Sequence, residues 1–443
     1  MSAVMGTFRL LKGDNMKILR PLALLLTLAL AGSSFAQTDL TLARFFGACE
    51  QAGTDIAAAV GEACIIQSII NAYDAADNGV SVETLPTDWG NYYDQLKAMY
   101  AAGNAPDVHV LHKHALPEFA GLGAFADLTD DLAAAGIDRA DWTDTGEEAV
   151  TYDGRVYAVP LDAHANLWYV NLDIMEAAGL VNADGSPLVP SSPAELLEHA
   201  AAVKEATGND YLTADFSEFP IGVRLVLALV WQQNSELFAD GESNVDSQAT
   251  RNAVDAIVSL FDGGYADPTL NYADSLQTFM DGEAAVLVNG DWVVNQLDDQ
   301  IAAGQIALNS LYVADFPTIF DTPATWADSH AWAIPASLKA DDPEKYQAAL
   351  GLLAWIYDHG LDWSRTGHLS ISRSVANSPD YSALPHRSEY ANTVNIARDV
   401  QPTARYDAIQ DVLNRAFQSI WLTDTPVDEA LRNADLEVQD LLE

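Results

Sequence analysis

The chain has 443 residues, 49% of them apolar, which is enough for a substantial core in two or three domains and argues against a disordered chain. It carries 64 acidic and 21 basic residues, a formal net charge of −43, and a field of that sign repels nucleic-acid phosphates and anionic lipid surfaces. The acids are scattered, so they read as solvated faces rather than as an interaction tail.

Residues 16–37 read MKILRPLALLLTLALAGSSFAQ. Lys17 and Arg20 precede an apolar run over 22–30, and Ser34-Phe35-Ala36 supplies a small-x-small cleavage signal. The run is too short to span a bilayer, so a cleaved secretory leader is expected over 1–36, with residues 1–15 an upstream extension and Met16 an alternative start. The mature chain would begin near Gln37 with 63 acids against 17 bases. In an exported chain, Cys49 and Cys64 are expected to form a disulfide; a metal pair or a catalytic thiol are the alternatives.

Beyond the leader, a strand is expected over 40–46, a helix over 65–76 and a strand over 80–85. Thr87 or Asp88 caps a helix with Tyr93, Leu96, Met99 and Tyr100 on one face, ending at Gly103-Asn104 before Pro106. A strand follows over 107–111, and this βαβα order argues for a parallel sheet covered by helices. A second strand–helix series starts after YDGRVYAVP (152–160). Ser192 and Glu195 form a capping box around Pro193 and open a helix over 194–207. FMDGEAAVLVNGDW (279–292) runs from a helix end through an Asp-Gly turn into a buried strand over 284–288, then halts on Asn-Gly-Asp-Trp. Asp342-Pro343 opens a helix to Gly360, and the tail over 406–442 is amphipathic helix. With no repeat and no Gly/Ser linker, two α/β lobes joined by several short crossings fit the pattern.

In open α/β sheets, ligands sit beyond the carboxyl ends of the strands. The residues there are Phe45, Phe46, Glu50, Asp88, Trp89, His112, Lys113, His114, Asp162, His164, Asn166, Asp215, Asp291, Trp292, Trp326, Asp328 and His330. Rings that stack on C–H faces, mixed with groups that bond hydroxyls, describe a sugar site. Each candidate has a plainer reading: Asp291 as a helix cap beside a packing Trp292, Lys113 as a solvated lysine, and His164 with Asn166 as a hinge hydrogen-bond pair. Of Phe45 and Phe46, on alternate strand faces, one is expected to stack on ligand and one to pack. Trp89 and Trp326 have packing as their plain alternative, and Trp168 reads as core. No metal is expected at His109, His112 and His114, since no carboxylate or thiol completes a set, and no cofactor is expected. G-x-S-x-G, H-E-x-x-H, P-loop and G-x-G-x-x-G patterns are absent. Abundant carboxylates leave a secreted glycoside hydrolase as the rival reading.

Four segments carry a resemblance across nearly all of 37–443. GNAPDVHVL (103–111), YDGRVYAVPLDAHANLWYVNLDIMEAAGL (152–180), FMDGEAAVLVNGDW and TGHLSISRSV (366–375) resemble, in order, the marks of the extracellular solute-binding proteins of ABC sugar importers, with Ser370 where the family writes proline. The resemblance implies a two-lobed, maltose-binding-protein-like (type II periplasmic binding protein) fold that closes on ligand. It implies a first lobe of 37–160 plus 332–368, a second of 161–331 plus 369–443, and a hinge around 160–164, 326–332 and 366–373. It is nearest to members binding glucose and other monosaccharides, through His164-Ala165-Asn166, Phe45-Phe46 and Lys113. By the same likeness Asp291 binds sugar hydroxyls and Arg405 in QPTARYD contacts ligand. The implied protein is periplasmic and monomeric, takes a neutral mono- or small oligosaccharide, and partners a membrane permease; a sensor presenting the sugar to a chemoreceptor is the other role the likeness leaves open.

Overall fold

Hydrophobic strands of this length are stable only when their faces are covered, and the chain answers that need with two sheets. The computed structural model describes residues 37–443 except Asp77; the expected leader lies outside the described residues. In chain order the strands of the two main sheets are β1 (Thr38–Arg44), β2 (Val80–Pro86), β3 (Val108–His112), β4 (Ala158–Pro160), β5 (His164–Asn171), β6 (Asp210–Thr213), β7 (Ala284–Gly290), β8 (Leu311–Ala314), β9 (Thr325–Asp328), β10 (His330–Ala333) and β11 (Ala397–Arg398). The first sheet has the order β2-β1-β3-β10-β4, with β1, β2 and β3 parallel and β10 antiparallel to both its neighbours. The second has the order β11-β9-β5-β7-β6, with β8 also on β5.

Every residue of β5 and β7 is buried, as expected for strands covered on both faces. Their period-2 alternation sorts most of their large side chains. Trp168, Val170, Val286 and Val288 enter one core with the helices Pro193–Thr207, Ile221–Trp231 and Tyr406–Thr423. Leu167, Tyr169 and Leu287 enter another with Val294, Leu297 and Leu369. A third core lies around the first sheet and the helices Gly61–Asp74 and Pro343–Asp358.

Local chemistry sets the element ends. The Asp88 carboxylate accepts Gly90 N–H (3.1 Å) and caps the helix Trp89–Ala102, which Gly103 stops at φ 72°. Ser192 accepts Glu195 N–H (3.1 Å), while Glu195 reaches back to Ser191 N–H (2.8 Å), one residue earlier than a capping box requires. The tail is two helices, Tyr406–Thr423 and Val427–Leu442, broken where Asp424 takes φ 55°. The first strand ends at Arg44 rather than at 46. The buried Arg44 guanidinium donates to the Gly47 carbonyl and the Gln67 side chain and turns the chain there, so Phe45 and Phe46 lie past the strand and its alternation no longer governs them.

The chain passes between the sheets three times. It leaves β4 for β5 through Leu161-Asp162-Ala163 and returns from β9 to β10 through Ser329 alone. The third passage follows the helix Gly360–Ser364, where Leu369 and Ala163 exchange backbone hydrogen bonds of 2.8 and 3.0 Å. Gly367 is required here: at φ +121° its absent Cβ would fall 1.9 Å from the Asp291 carbonyl oxygen. The Cys49–Cys64 disulfide closes the loop between β1 and the helix Gly61–Asp74.

Candidate ligand-binding site

A cavity of about 500 Å³ opens where the carboxyl ends of β1, β2 and β3 face the second sheet. From the first side come Phe45, Phe46, Asp88, Trp89 and His112, with Glu62 from the first turn of the following helix. From the second come His164, Phe219, Arg224, Tyr272 and Trp292, while His330 stands in the second passage between the sheets. Rings from the two sides meet directly, Trp89 packing edge-on against Phe219 with centroids 5.4 Å apart. A second cavity of about 390 Å³ continues the space past Phe46, Glu62, Tyr272 and Trp292 toward Gln296, Asp299 and Gln300.

The ring framework is braced from behind. Phe45 stacks on His112 (4.7 Å, 6° between planes), and the Trp292 indole N–H donates to the Tyr272 hydroxyl at 2.7 Å. Asp215 accepts the N–H groups of Ser217, Glu218 and Phe219 (3.0, 2.9 and 2.6 Å) and so shapes the turn that delivers Phe219. Arg224 is the outlying case among the polar groups. Its guanidinium lies 3.8 Å above the Trp326 ring and 5.7 and 5.9 Å from Trp292 and Trp89. Nε has no hydrogen-bond partner among the described residues, and burial pulls its pKa down to about 10. It remains a cation at neutral pH, facing the cavity.

Below the cavity floor, polar side chains from all three passages converge. Asp162 accepts the Trp363 indole N–H (2.6 Å) and the His330 backbone N–H (3.2 Å), and it lies 2.9 and 3.3 Å from the Nδ1 atoms of His330 and His164. The His164 and His330 rings stack with centroids 4.0 Å apart. His368 completes the group, its Nε2 3.7 Å from Asp162 Oδ2. Asp162, His164, His330 and His368 are the described residues able to hold a metal ion, with one ligand atom from each lying within 4.8 Å of the others.

Of the residues expected at the site, Phe45, Phe46, Asp88, Trp89, His112, His164, Trp292 and His330 line the cavity, both phenylalanines because the chain turns at Arg44. The rest lie outside its lining. Asp215 and Trp326 stand one layer back, beneath Phe219 and Arg224. Asp291 separates from Trp292: it is fully buried, neither carboxylate oxygen meets a hydrogen-bond partner of good geometry among the described residues, and burial, then the neighbouring Asp162, raises its pKa well above the ordinary carboxylate range. Asn166 is buried opposite Gly290, its side-chain amide unpartnered. Lys113 is occupied by Asp399 and by Glu148 at 3.5 Å. Glu50 is exposed beside the disulfide. Arg405 is exposed just before the helix Tyr406–Thr423, and it is the next residue, Tyr406, that turns inward onto His114 (4.8 Å).

The residues sequence reasoning missed are Glu62, Phe219, Arg224 and Tyr272. Arg224 had a legible signal: it is the only charged residue in IGVRLVLALVW (221–231), and a charge inside an otherwise apolar helix needs a partner or a purpose. Glu62 and Tyr272 had none. His109, the third member of the histidine group weighed for metal, is buried against Tyr100 and Phe125; among the described residues the fold gathers a different set of imidazoles around a carboxylate.

This is the architecture of a two-lobed solute receptor, with a cleft walled by both sheets and a hinge of three passages. The chain belongs to the bacterial extracellular solute-binding protein family, which matches residues 68–389. It is similar to a Brucella abortus (strain 2308) binding protein, at 22% identity over 387 residues that cover 85% of this chain and 89% of that one. It is also similar to the lactose-binding protein of Rhizobium radiobacter, at 24% identity over 246 residues covering 54% of this chain and 53% of the other. Its fold matches maltose-bound MalE3 of T. maritima with a TM-score of 0.77 at 21% identity, covering 91% of this chain and all of that one.

Proposed function

We propose that this chain is the periplasmic substrate-binding protein of an ABC importer, capturing a neutral mono- or small oligosaccharide between its lobes and handing it to a membrane permease. The observation that carries the reading is a 500 Å³ cavity walled from both sheets by Phe45, Phe46, Trp89, Phe219, Tyr272 and Trp292, with Asp88, Glu62, His112, His164 and Arg224 among the rings. Ring faces suit the C–H faces of a pyranose, and the carboxylates and imidazoles suit its hydroxyls. The 390 Å³ continuation leaves room for a second sugar unit. A lactose-binding relative and a maltose-bound structural neighbour support the ligand class. Because walls come from both sheets, ligand favours the closed arrangement, and only differential affinity for it drives closure. The lobes are 37–160 plus 332–368 and 161–331 plus 369–443, the leader is removed near Ala36-Gln37, and the mature protein works as a monomer without chemistry of its own.

A thermal-shift screen against a carbohydrate panel, followed by calorimetry, tests this, since ligand that binds only the folded state raises the melting temperature. One neutral sugar class should stabilise and be recovered intact; hydrolysed product would transfer the cavity's carboxylates to a glycosidase. Arg224, whose Nε has no hydrogen-bond partner among the described residues, favours a second reading, a carboxylate- or phosphate-bearing solute, and stabilisation by sugar acids alone would select it.

A further inference from the structure

Asp162, His164, His330 and His368 are each at least 96% buried, and they come from three separate passages of the chain between the sheets. Asp162 lies in the first and His164 just past it, His330 opens β10 after the second, and His368 lies in the third. Hydrogen bonding alone does not account for the group. A carboxylate has about four lone-pair sites. Those of Asp162 are already met by the Trp363 indole N–H, the His330 backbone N–H and the two Nδ1 atoms at 2.9 and 3.3 Å. Nothing remains for His368. Its Nε2 is fully buried and close to two carboxylates, Asp162 at 3.7 Å and Glu62 at 3.3 Å, yet is hydrogen-bonded to neither.

The same Nε2 is aimed deliberately. Thr366 Oγ1 holds His368 Nδ1 at 2.6 Å, and that outer contact fixes the ring with Nε2 turned toward Asp162. The Trp363 N–H orients the carboxylate in the same manner. In a tetrahedral site with metal–ligand bonds of about 2.0–2.2 Å, ligand atoms stand roughly 3.4 Å apart. Asp162 Oδ2 lies 2.9 Å from His330 Nδ1 and 3.7 Å from His368 Nε2, on either side of that spacing, while His164 Nδ1 lies 3.3 Å from the other carboxylate oxygen, and one ligand atom from each of the four falls within 4.8 Å of the rest. We propose that Asp162, His164, His330 and His368 form a transition-metal site of the zinc class that ties together the three passages of the hinge.

Three imidazoles and one carboxylate suit Zn²⁺, Co²⁺, Ni²⁺ or Cu²⁺ and not Mg²⁺ or Ca²⁺, which take oxygen ligands. Glu62 stands beside His368 on the cavity side and is placed to join as a further ligand, while His164 and His330 present the same site to the cavity floor. Since each passage supplies at least one ligand, bound metal cross-links the hinge. The site shares His164, His330 and Glu62 with the cavity lining, but metal binding is read with no solute present and so does not depend on which solute fills the cavity.

The test uses the mature protein stripped with a chelator and desalted, titrated with Zn²⁺ alone in competition with a chromophoric indicator, and separately with Co²⁺. One equivalent should bind at submicromolar free Zn²⁺, the melting temperature should rise and return on adding chelator, and Co²⁺ should give the intense visible bands of tetrahedral N/O coordination. His368→Ala and His330→Ala should each lower Zn²⁺ affinity by about 100-fold or more, with far-ultraviolet circular dichroism checking that each variant folds. Absence of a stoichiometric site would overturn the proposal. So would a pale, octahedral Co²⁺ spectrum in the wild-type protein, a measurement that needs no variant, or Zn²⁺ binding left unchanged by both substitutions, which would assign it to the acidic surface.

Discussion

The cavity wall and the hinge floor beneath it touch each other through His164 and His330, yet they are built on opposite plans. The wall is rings held edge to face, with hydrogen bonds sparing the faces that look inward, and its cation Arg224 rests on indole rather than on a carboxylate. The floor is a carboxylate crowded by indole, amide and imidazole groups at 2.6–3.3 Å. Each region keeps its stabilising energy in a different place. Rings contribute area and leave their polar partners for a ligand, so the wall is tolerant until something binds. Buried charge is held only while every partner is present, so the floor is intolerant from the start.

Substitutions should divide along that line. Asp162→Ala leaves the Trp363 indole N–H, the His330 backbone N–H and two buried imidazole Nδ1 atoms without their partner and should cost about 3–5 kcal/mol of stability in chemical denaturation of the metal-free protein. A loss below about 1 kcal/mol would erase the distinction between floor and wall. On the rim, replacing Cys49 and Cys64 together frees a loop of 15 residues and should cost about 3 kcal/mol by chain entropy, leaving the affinity of a cavity ligand nearly unchanged. A large affinity loss instead would mean that the wall depends on the crosslink for its shape.

A pH series probes the segment that braces the third passage, where Arg387 donates to the carbonyls of Ser364, Gly367 and His368. Next to it, burial alone would lower the His386 pKa, but hydrogen bonds to Asp298 and Glu389 (2.8 Å each) outweigh it and raise the value to about 9. A raised folded-state pKa contributes stability that is complete below the unfolded imidazole's value of about 6.5 and disappears as pH climbs through about 9. On the order of 2–3 kcal/mol should therefore be lost over that window. The His386→Ala protein should show a flatter profile there; an identical slope would remove His386 as its source. The smallest effect on folding is expected at Trp292→Ala, which should weaken ligand binding by about 1–3 kcal/mol while changing the denaturation midpoint least. Unchanged affinity in calorimetry would take Trp292 out of the site.

Much of the scaffold was readable along the chain. Asp88, Gly103 and Ser192 announced helix ends because caps act within four residues of sequence. The unbroken apolar run at 284–288 announced a strand covered on both sides. Phe45, Phe46, Trp89 and Trp292 were legible as cavity-lining positions because each follows the carboxyl end of a strand, while His164 lines the cavity from the start of its strand, just past the first passage. Reasoning by strand end failed where the chain turned within one residue: Trp292 faces the cavity and Asp291 faces away, buried under the third passage. Lys113 and Arg405 look alike as bases near strand or helix ends, but one meets Asp399 and the other meets water, a choice made by distant segments.

Composition, capping and periodicity mark out most of the strands and helices, and which strands are covered on both faces, because those are interactions between near neighbours. That Glu62, Arg224 and Tyr272 share one cavity, and residues 162, 164, 330 and 368 one carboxylate's surroundings, follows from how distant segments pack. Side chains some two hundred residues apart meet because three passages between the sheets are forced through the same narrow place, and no local pattern records where a chain will return.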